Sequence, residues 1–217
     1  MFGWLGDIMS EALIFLNGLV NNYGLAIIIF TLIIKLLLHP MTVKQTRSMK
    51  VMQDLQPEIK KIQQKYKDNK EKQQQEMMKL YQENNINPTA GCLPMILQLL
   101  IIIPLYRSIL GLKDVMGEVG FLWIGTLTGG SLAEPDIALV IINGLAMVGQ
   151  TMITQKFSGN AGSQNNMVMW VMPIMIIFIG FQLPAGVLLY WLTSTVFTAV
   201  EQFIIYRDPE MKGVVEK

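Results

Sequence analysis

Residues 23–41, YGLAIIIFTLIIKLLLHPM, decide the fold. A helix needs about 20 mostly apolar residues to cross the hydrocarbon core of a bilayer, and this stretch meets that length. It also contains Lys35, and a charge at the centre of such a helix costs about 2.5 to 3.5 kcal/mol. Lys35 therefore requires water or a polar partner at membrane depth.

Four more stretches are apolar over a comparable length. They are residues 90–111, 136–156, 167–183 and 185–206. Of the 217 residues, 52% are hydrophobic and only 15% are charged, whereas soluble domains carry about 25% charged residues. The sequence predicts an all-α membrane protein with five transmembrane helices.

Composition also argues against several function classes. A formal net charge of +1 gives no basis for direct nucleic-acid specificity through phosphate contacts. One cysteine, Cys92, and one histidine, His39, cannot build a structural zinc site. No nucleophile with its base, no phosphate-binding loop and no dinucleotide-binding glycine pattern occurs. We therefore expect no metal, no cofactor and no enzymatic activity.

Basic residues set the expected orientation. Ten of the 17 Lys and Arg residues lie in residues 42–89, between the first two spans. Such residues accumulate on cytoplasmic loops, so the N-terminus is predicted outside and the short tail, 207–217, in the cytoplasm. Residues 157–166 form an inner linker. Residues 112–135 form an outer loop, in which the stretch 121–123 (FLW) is expected to anchor in the membrane interface.

Residues 1–22 predict an outer amphipathic helix that lies in the interface. Asp7 and Glu11 lie one turn apart on its polar face. The expected apolar face consists of Leu5, Ile8, Met9, Ala12, Leu16 and Leu19. A leader without a role is the alternative.

Residues 42–89 predict a cytoplasmic helical hairpin. Pro57 should start or kink its first arm, and residues 67–70 (KDNK) form a turn into the second arm. Candidates for substrate capture or docking are the apolar and basic residues of the first arm: Met52, Leu55, Pro57, Ile59, Lys60, Lys61 and Lys65. A solvated hairpin that faces anionic lipid is an equally good interpretation.

Polar residues recur at one depth in four spans, roughly 8 to 12 Å from the cytoplasmic end. Within a span they share a helix face, because they are spaced by three, four or seven residues. Those at this depth are Lys35, Gln98, Gln150, Thr198 and Glu201, and the polar residues that share their helix faces are Thr31, His39, Asn143, Thr154 and Ser194. Polar surface at this depth must face protein or water, so the sequence predicts a hydrophilic groove open to the cytoplasm. Alternatively, Lys35 reaches lipid phosphates or forms a structural ion pair with Glu201.

The fourth span has no polar side chain between Met167 and Gly180. Methionine is flexible and polarizable, and it suits surfaces that accept varied apolar partners. Met169, Met172 and Met175 are therefore candidates for contact with a client helix, although packing against lipid would also explain them.

Five motifs, in order, resemble the YidC/Oxa/Alb family of membrane protein insertases. They are YGLAIII at 23–29, LQPEIK at 55–60 with KYK at 65–67, NP at 87–88 with GCLP at 91–94, MPIM at 172–175, and LPAGVLLYW at 183–191. Together with the topology they make the chain similar to the compact bacterial form of the family, without a large outer domain.

The resemblance implies a five-helix groove in a bacterial plasma membrane. The groove would receive hydrophobic segments of nascent membrane proteins and release them sideways into the lipid bilayer, without nucleotide hydrolysis. The family's basic first-span residue maps to Lys35, its polar second-span residue to Gln98, and its aromatic pair to Tyr190 and Trp191. The hairpin is implied to contact the ribosome or targeting factors, and a Sec-type channel is a possible partner.

Some residues depart from the family pattern. Lys35 stands where the family usually has Arg, and Lys lacks the bidentate guanidinium. Glu201 and Thr195 stand where amides are more common. The short tail implies weak ribosome binding. Alternative functions are an assembly chaperone without translocation and a proton-coupled carrier that uses Lys35 and Glu201.

Overall fold

Apart from one isolated bridge between Phe121 and Ile124, the regular secondary structure of the described residues is α-helical. The computed structural model describes residues 3–84, 93–116, 121–124, 130–158 and 177–207. Its helices are α1 (Gly3–Val20), α2 (Tyr23–Asp54), α3 (Gln56–Lys65), α4 (Lys70–Glu83), α5 (Leu93–Gly111), α6 (Lys113–Met116), α7 (Ile137–Ser158) and α8 (Ala185–Arg207). The predicted all-α class is confirmed.

Three helices contain segments long and apolar enough to cross a membrane. These segments are Tyr23–Met52, Ile137–Thr154 and Ala185–Arg207, in α2, α7 and α8. They correspond to the first, third and fifth predicted spans. The second predicted span contains a shorter apolar helix, Ile96–Gly111. Of the fourth, only its last residues lie in the described part, where 177–180 are helical.

Helix α2 passes the predicted inner boundary at Met41 and continues to Asp54. Pro40 lies inside this helix, where it removes one backbone donor. Membrane helices tolerate such a proline because neighbouring groups satisfy the freed carbonyl. No glycine or asparagine follows before Asp54 to end the helix. The predicted first span and the first residues of the predicted hairpin segment therefore form one continuous helix.

The hairpin consists of α3 and α4, which pack against each other. Pro57 lies in the first turn of α3, where an amide donor would have no partner in any case. Asn69 caps α4, because its side chain accepts a hydrogen bond from the Lys72 amide at 3.0 Å. The predicted helix start at Pro57 and the predicted turn before Lys70 are both confirmed.

Helix α1 packs against α2 and α5 and buries Gly6, Met9 and Leu13. Of the predicted apolar face, Met9 is buried and Leu5, Ala12 and Leu16 are half-buried, whereas Ile8 and Leu19 are exposed. Large apolar side chains surround α1 on several sides, so the helical period alone could not select the face that packs.

The apolar core occupies one end of the bundle. It combines the first turns of α2, α7 and α8 with the last turns of α5, which the antiparallel arrangement brings to the same level. Its fully buried members are Leu13, Ile27, Leu105, Ile109, Met116, Ile124, Leu132, Leu139, Val140, Ala185, Val187, Leu188 and Tyr190. By the predicted orientation this is the outer end.

Residues 131–136 tie α7 and α8 together at the same end. The backbone amides of Ala185 and Gly186 donate to the carbonyls of Glu134 and Leu132, each at 2.7 Å. The first amides of a helix lack partners within the helix, so these bonds cap α8. Asp136 caps α7 through a 2.7 Å bond from the Leu139 amide.

The expectation that residues 121–123 anchor in the interface was wrong for Phe121, which is buried in the core. Its ring lies against the backbone of Gly24, and two backbone hydrogen bonds of 2.9 Å with Ile124 hold its position. The Trp123 indole donates to the Asp136 carboxylate at 3.3 Å. Leu122 alone projects outward, with 64% of its surface exposed.

Gly24→Ala is expected to destabilise the protein. A Cβ atom at position 24 would lie 2.1 Å from Cγ of Phe121, and overpacking of this kind costs about 1 to 3 kcal/mol. Thermal unfolding in detergent measures the effect. Gly18→Ala in α1 is the control, because nothing lies within 4 Å of the added atom. Equal midpoints for the two variants would contradict the described contact.

Candidate functional site

Lys35 is held by the facing helix α8. Its Nζ donates to Oγ1 of Thr198 at 2.9 Å, and the Thr198 hydroxyl in turn donates to the Ser194 carbonyl at 2.8 Å. Lys35 is half-buried, whereas Ser194 is buried. The polar faces predicted separately on the first and fifth spans therefore meet here.

A second contact joins the same helices one turn nearer the hairpin. Nδ1 of His39 is hydrogen-bonded to Oε1 of Glu201. Glu201 is 5% exposed, and its Oε2 is buried without a hydrogen-bond partner among the described residues. The Glu201 carboxylate also interacts electrostatically with the Lys35 ammonium. The direct partner of Glu201 is nevertheless His39, and that of Lys35 is Thr198.

Helix α7 contributes polar contacts to the other side of α8. Nδ2 of Asn143 donates to the carbonyls of Leu139 and Leu188, at 2.9 and 3.0 Å. Oγ1 of Thr154 lies 3.0 Å from the Gln150 carbonyl and 3.1 Å from Oε1 of Gln202. The Gln150 side chain is half-buried. Helix α8 is thus polar toward both α2 and α7.

Tyr190 lies where the packed core meets these polar contacts. It is 1% exposed, and its hydroxyl has no partner with hydrogen-bond geometry in the described part of the chain. The side chains of Ser194 and Gln98 are its polar neighbours. Trp191 is half-buried on the next position of α8. The predicted residues of α5 and α8 therefore approach each other at Tyr190.

Other predicted site residues lie apart from this cluster. Thr31 is buried, and its hydroxyl donates to the Ile27 carbonyl of its own helix at 2.6 Å. In the hairpin, Ile59 is buried, and Met52 and Leu55 are half-buried. Pro57, Lys60, Lys61 and Lys65 are exposed. Met169, Met172 and Met175 lie outside the described residues.

Metal binding finds no support within the described ranges, where no three His, Cys, Asp or Glu side chains group around a common point. The arrangement offers hydrogen-bond donors and acceptors and both signs of charge. These side chains can donate and accept hydrogen bonds and can pair with charges of either sign.

Known proteins resemble the chain along nearly its whole length. The membrane protein insertase YidC of Clostridium perfringens is 40% identical over 206 residues, which are 92% of this chain and 85% of that protein. A family model described as 60Kd inner membrane protein matches residues 15–212. The chain belongs to this family of YidC insertases.

Other YidC proteins differ in length. The YidC insertase of Fusobacterium nucleatum is 36% identical over 94% of this chain and 98% of that protein. The YidC insertase of Haemophilus ducreyi is 37% identical over 98% of this chain, which spans only 39% of that protein. A crystal structure of an active YidC insertase, with its first transmembrane domain resolved, has a TM-score of 0.72 and 29% identity over 92% of this chain and 46% of that chain.

Two polar contacts of this YidC-family chain involve residues that were not among the predicted groove residues. The spacing of four residues from Lys35 placed His39 on the same helix face, but His39 was not counted among the groove residues. Gln202 lies four residues after Thr198 and meets Thr154 across the helix pair. Helical spacing places both on polar faces, whereas their partners on other helices cannot be read from spacing.

Thr198→Val is expected to destabilise the YidC-family bundle by about 1 to 3 kcal/mol, because a partly buried ammonium loses its acceptor. Thr193→Val is the matched control. The Thr193 hydroxyl also donates to a carbonyl of its own helix, that of Leu189 at 2.8 Å, and it has no described bond to α2. Thermal unfolding in detergent should show a larger loss for Thr198→Val. Equal losses would mean that the bond from Lys35 contributes nothing.

Proposed function

We propose that this chain is an insertase that accepts the hydrophobic segment of a newly made membrane protein and releases it sideways into the bilayer. Membership of the YidC family is the reason to propose this activity, and the polar contacts between α2 and α8 support a site for it. The observation that carries the site is the pair of contacts from Lys35 to Thr198 and from His39 to Glu201, both at membrane depth.

The bundle has an apolar half and a polar half, and this division suits entry of a client from one side of the membrane only. The outer half contains the apolar core, and residues 131–136 cap its helices. Polar side chains of α2, α7 and α8 occupy the inner half. Charged groups at this depth are tolerated beside protein partners or water, so we infer a hydrophilic groove open to the cytoplasm and closed outside. A carrier would need a path to both sides, which the packed outer half disfavours.

The driving force is the transfer of the client helix into lipid. Leu, Ile, Phe and Val each gain about 0.3 to 0.6 kcal/mol at the centre of a span. A client segment with about ten such residues therefore gains several kcal/mol, which offsets the cost of moving a short polar flank. The groove holds that flank while the apolar part partitions, and nucleotide hydrolysis is not required.

Lys35 gives the groove a positive charge. A client residue can replace Thr198 as the hydrogen-bond acceptor of Lys35. The Thr198 hydroxyl is a neutral acceptor, whereas a carboxylate would add the attraction between opposite charges to a hydrogen bond that the ammonium already makes charge-assisted. An acidic residue of the client flank can therefore displace the threonine and bind Lys35. Tyr190, Trp191, Gln98 and Gln150 complete the proposed groove, together with Thr31, Asn143 and Ser194.

The hairpin is the proposed docking element on the cytoplasmic side. Its α3 helix presents Lys60, Lys61 and Lys65 to solvent, and it is joined directly to the end of α2. A client, a ribosome, a targeting factor or a Sec-type channel docked there would be held close to the groove. Met169, Met172 and Met175 of the fourth span are proposed to contact the apolar part of the client.

The proposed location is a bacterial plasma membrane, with the N-terminus outside and the C-terminus in the cytoplasm. Excluding Lys35, the expected topology places 14 basic residues inside and two outside. This imbalance is what the distribution of Lys and Arg across membranes requires.

Lys35→Leu should impair insertion of clients with acidic flanks, whereas Lys35→Arg should not, because only leucine removes the charge. The measurement is insertion of a short single-span protein into vesicles that contain the purified chain. A client with a neutral flank is the control and should respond little to either change. Equal insertion of acidic-flank clients by all three proteins would remove the electrostatic role of Lys35.

The groove should admit water to the level of Lys35. After replacement of the native Cys92 by alanine, single cysteines at positions 35, 98 and 150 should react with a water-soluble thiol reagent added from the cytoplasmic side. Ile27→Cys is the control and should stay unlabelled, because Ile27 is fully buried in the outer core. Protection of all three groove positions would contradict a water-filled groove.

A further inference from the structure

The Glu201 carboxylate has one oxygen that the structure leaves without a donor. Oε1 is bonded to His39, while Oε2 is buried and has no hydrogen-bond partner in the described ranges. A buried acceptor without a donor costs about 1 to 3 kcal/mol. Such an atom in the proposed groove indicates a position where something else binds.

Three cationic or basic side chains of α2 and α8 make contacts that leave Oε2 without a donor. The Lys35 ammonium donates to Thr198. The Arg207 guanidinium stacks on the Phe203 ring at 4.3 Å from its centroid, and His39 contacts only Oε1. None of these three supplies a hydrogen bond to Oε2 of Glu201.

We propose that Oε2 of Glu201 is a binding position for a cationic residue in the polar flank of a client, an inference that rests on the proposed insertase function. An ionised carboxylate can only accept hydrogen bonds, and its strongest partners are lysine and arginine side chains. Thr198 and Glu201 are three residues apart, about 4.5 Å along the helix axis. The groove therefore offers Lys35 to acidic client residues and Glu201 to basic ones, at adjacent levels.

The test uses three clients that differ at one flank position, which is Lys, Gln or Asp. They are presented to the full chain in vesicles, and insertion is compared for the wild type and for Glu201→Gln, which removes the charge and preserves the shape. Insertion of the Lys client should fall by about tenfold or more, the effect expected for loss of one charge-assisted hydrogen bond. The Gln client should be unchanged, and the Asp client should insert at least as well as before.

Asp136→Asn is the matched control. Asp136 is also a buried carboxylate with one oxygen that lacks a partner among the described residues, but it lies at the first turn of α7 in the outer half. Its replacement should alter all three clients equally. Glu201→Asp keeps the charge, so it should retain the preference for the Lys client even if total insertion falls. A photocrosslinker beside the client lysine should attach to α8 in the wild type and less in Glu201→Gln.

The outcomes separate this inference from the proposed function. If no client inserts above the level of protein-free vesicles, the proposed function is wrong and the inference falls with it. If clients insert but Glu201→Gln changes the Lys, Gln and Asp clients by the same factor, the insertase function stands and the binding position is refuted. If Glu201→Gln fails to fold, Glu201→Asp decides, because loss of the Lys preference there also overturns the proposal.

Discussion

The structure depends on the need to provide an acceptor for an ammonium group within a helix that is otherwise apolar enough to span a membrane. Lys35 has that acceptor in Thr198, on the last described helix. This bond fixes the rotation of α2 relative to α8, because the two faces that meet are the polar ones. The contact between His39 and Glu201 one turn away fixes the same rotation a second time.

The bundle satisfies this constraint by placing apolar side chains in one half and polar side chains in the other. Leu, Ile and Val side chains fill the outer half, where Ile27, Leu105 and Leu188 are almost completely buried. The inner half pairs polar groups and leaves Oε2 of Glu201 without a partner in the described ranges. Close packing resists deformation, so the outer half is the more rigid part, and in the proposed function the inner half exchanges partners with a client.

Much of the fold could be predicted from the sequence, because span length and the positions of basic residues are local properties. The faces of the polar residues also followed from helical spacing. What spacing cannot give is the partner across a helix pair, and for this reason Lys35 was considered with Glu201 although Thr198 is its acceptor. Phe121 was misassigned for a related reason, since an aromatic residue at an interface and one against a glycine backbone look alike in sequence.

The sequence separation of the two contacts between α2 and α8 has a consequence for biogenesis. Lys35 and its acceptor are 163 residues apart, and His39 and Glu201 are 162 apart. Chains are synthesised from the N-terminus and their segments fold in that order, so α2 enters the membrane long before α8 exists. Until α8 is made, the Lys35 ammonium must stay hydrated or donate its hydrogen bond to another acceptor. This YidC-family chain must therefore place a charged group in the bilayer during its own synthesis.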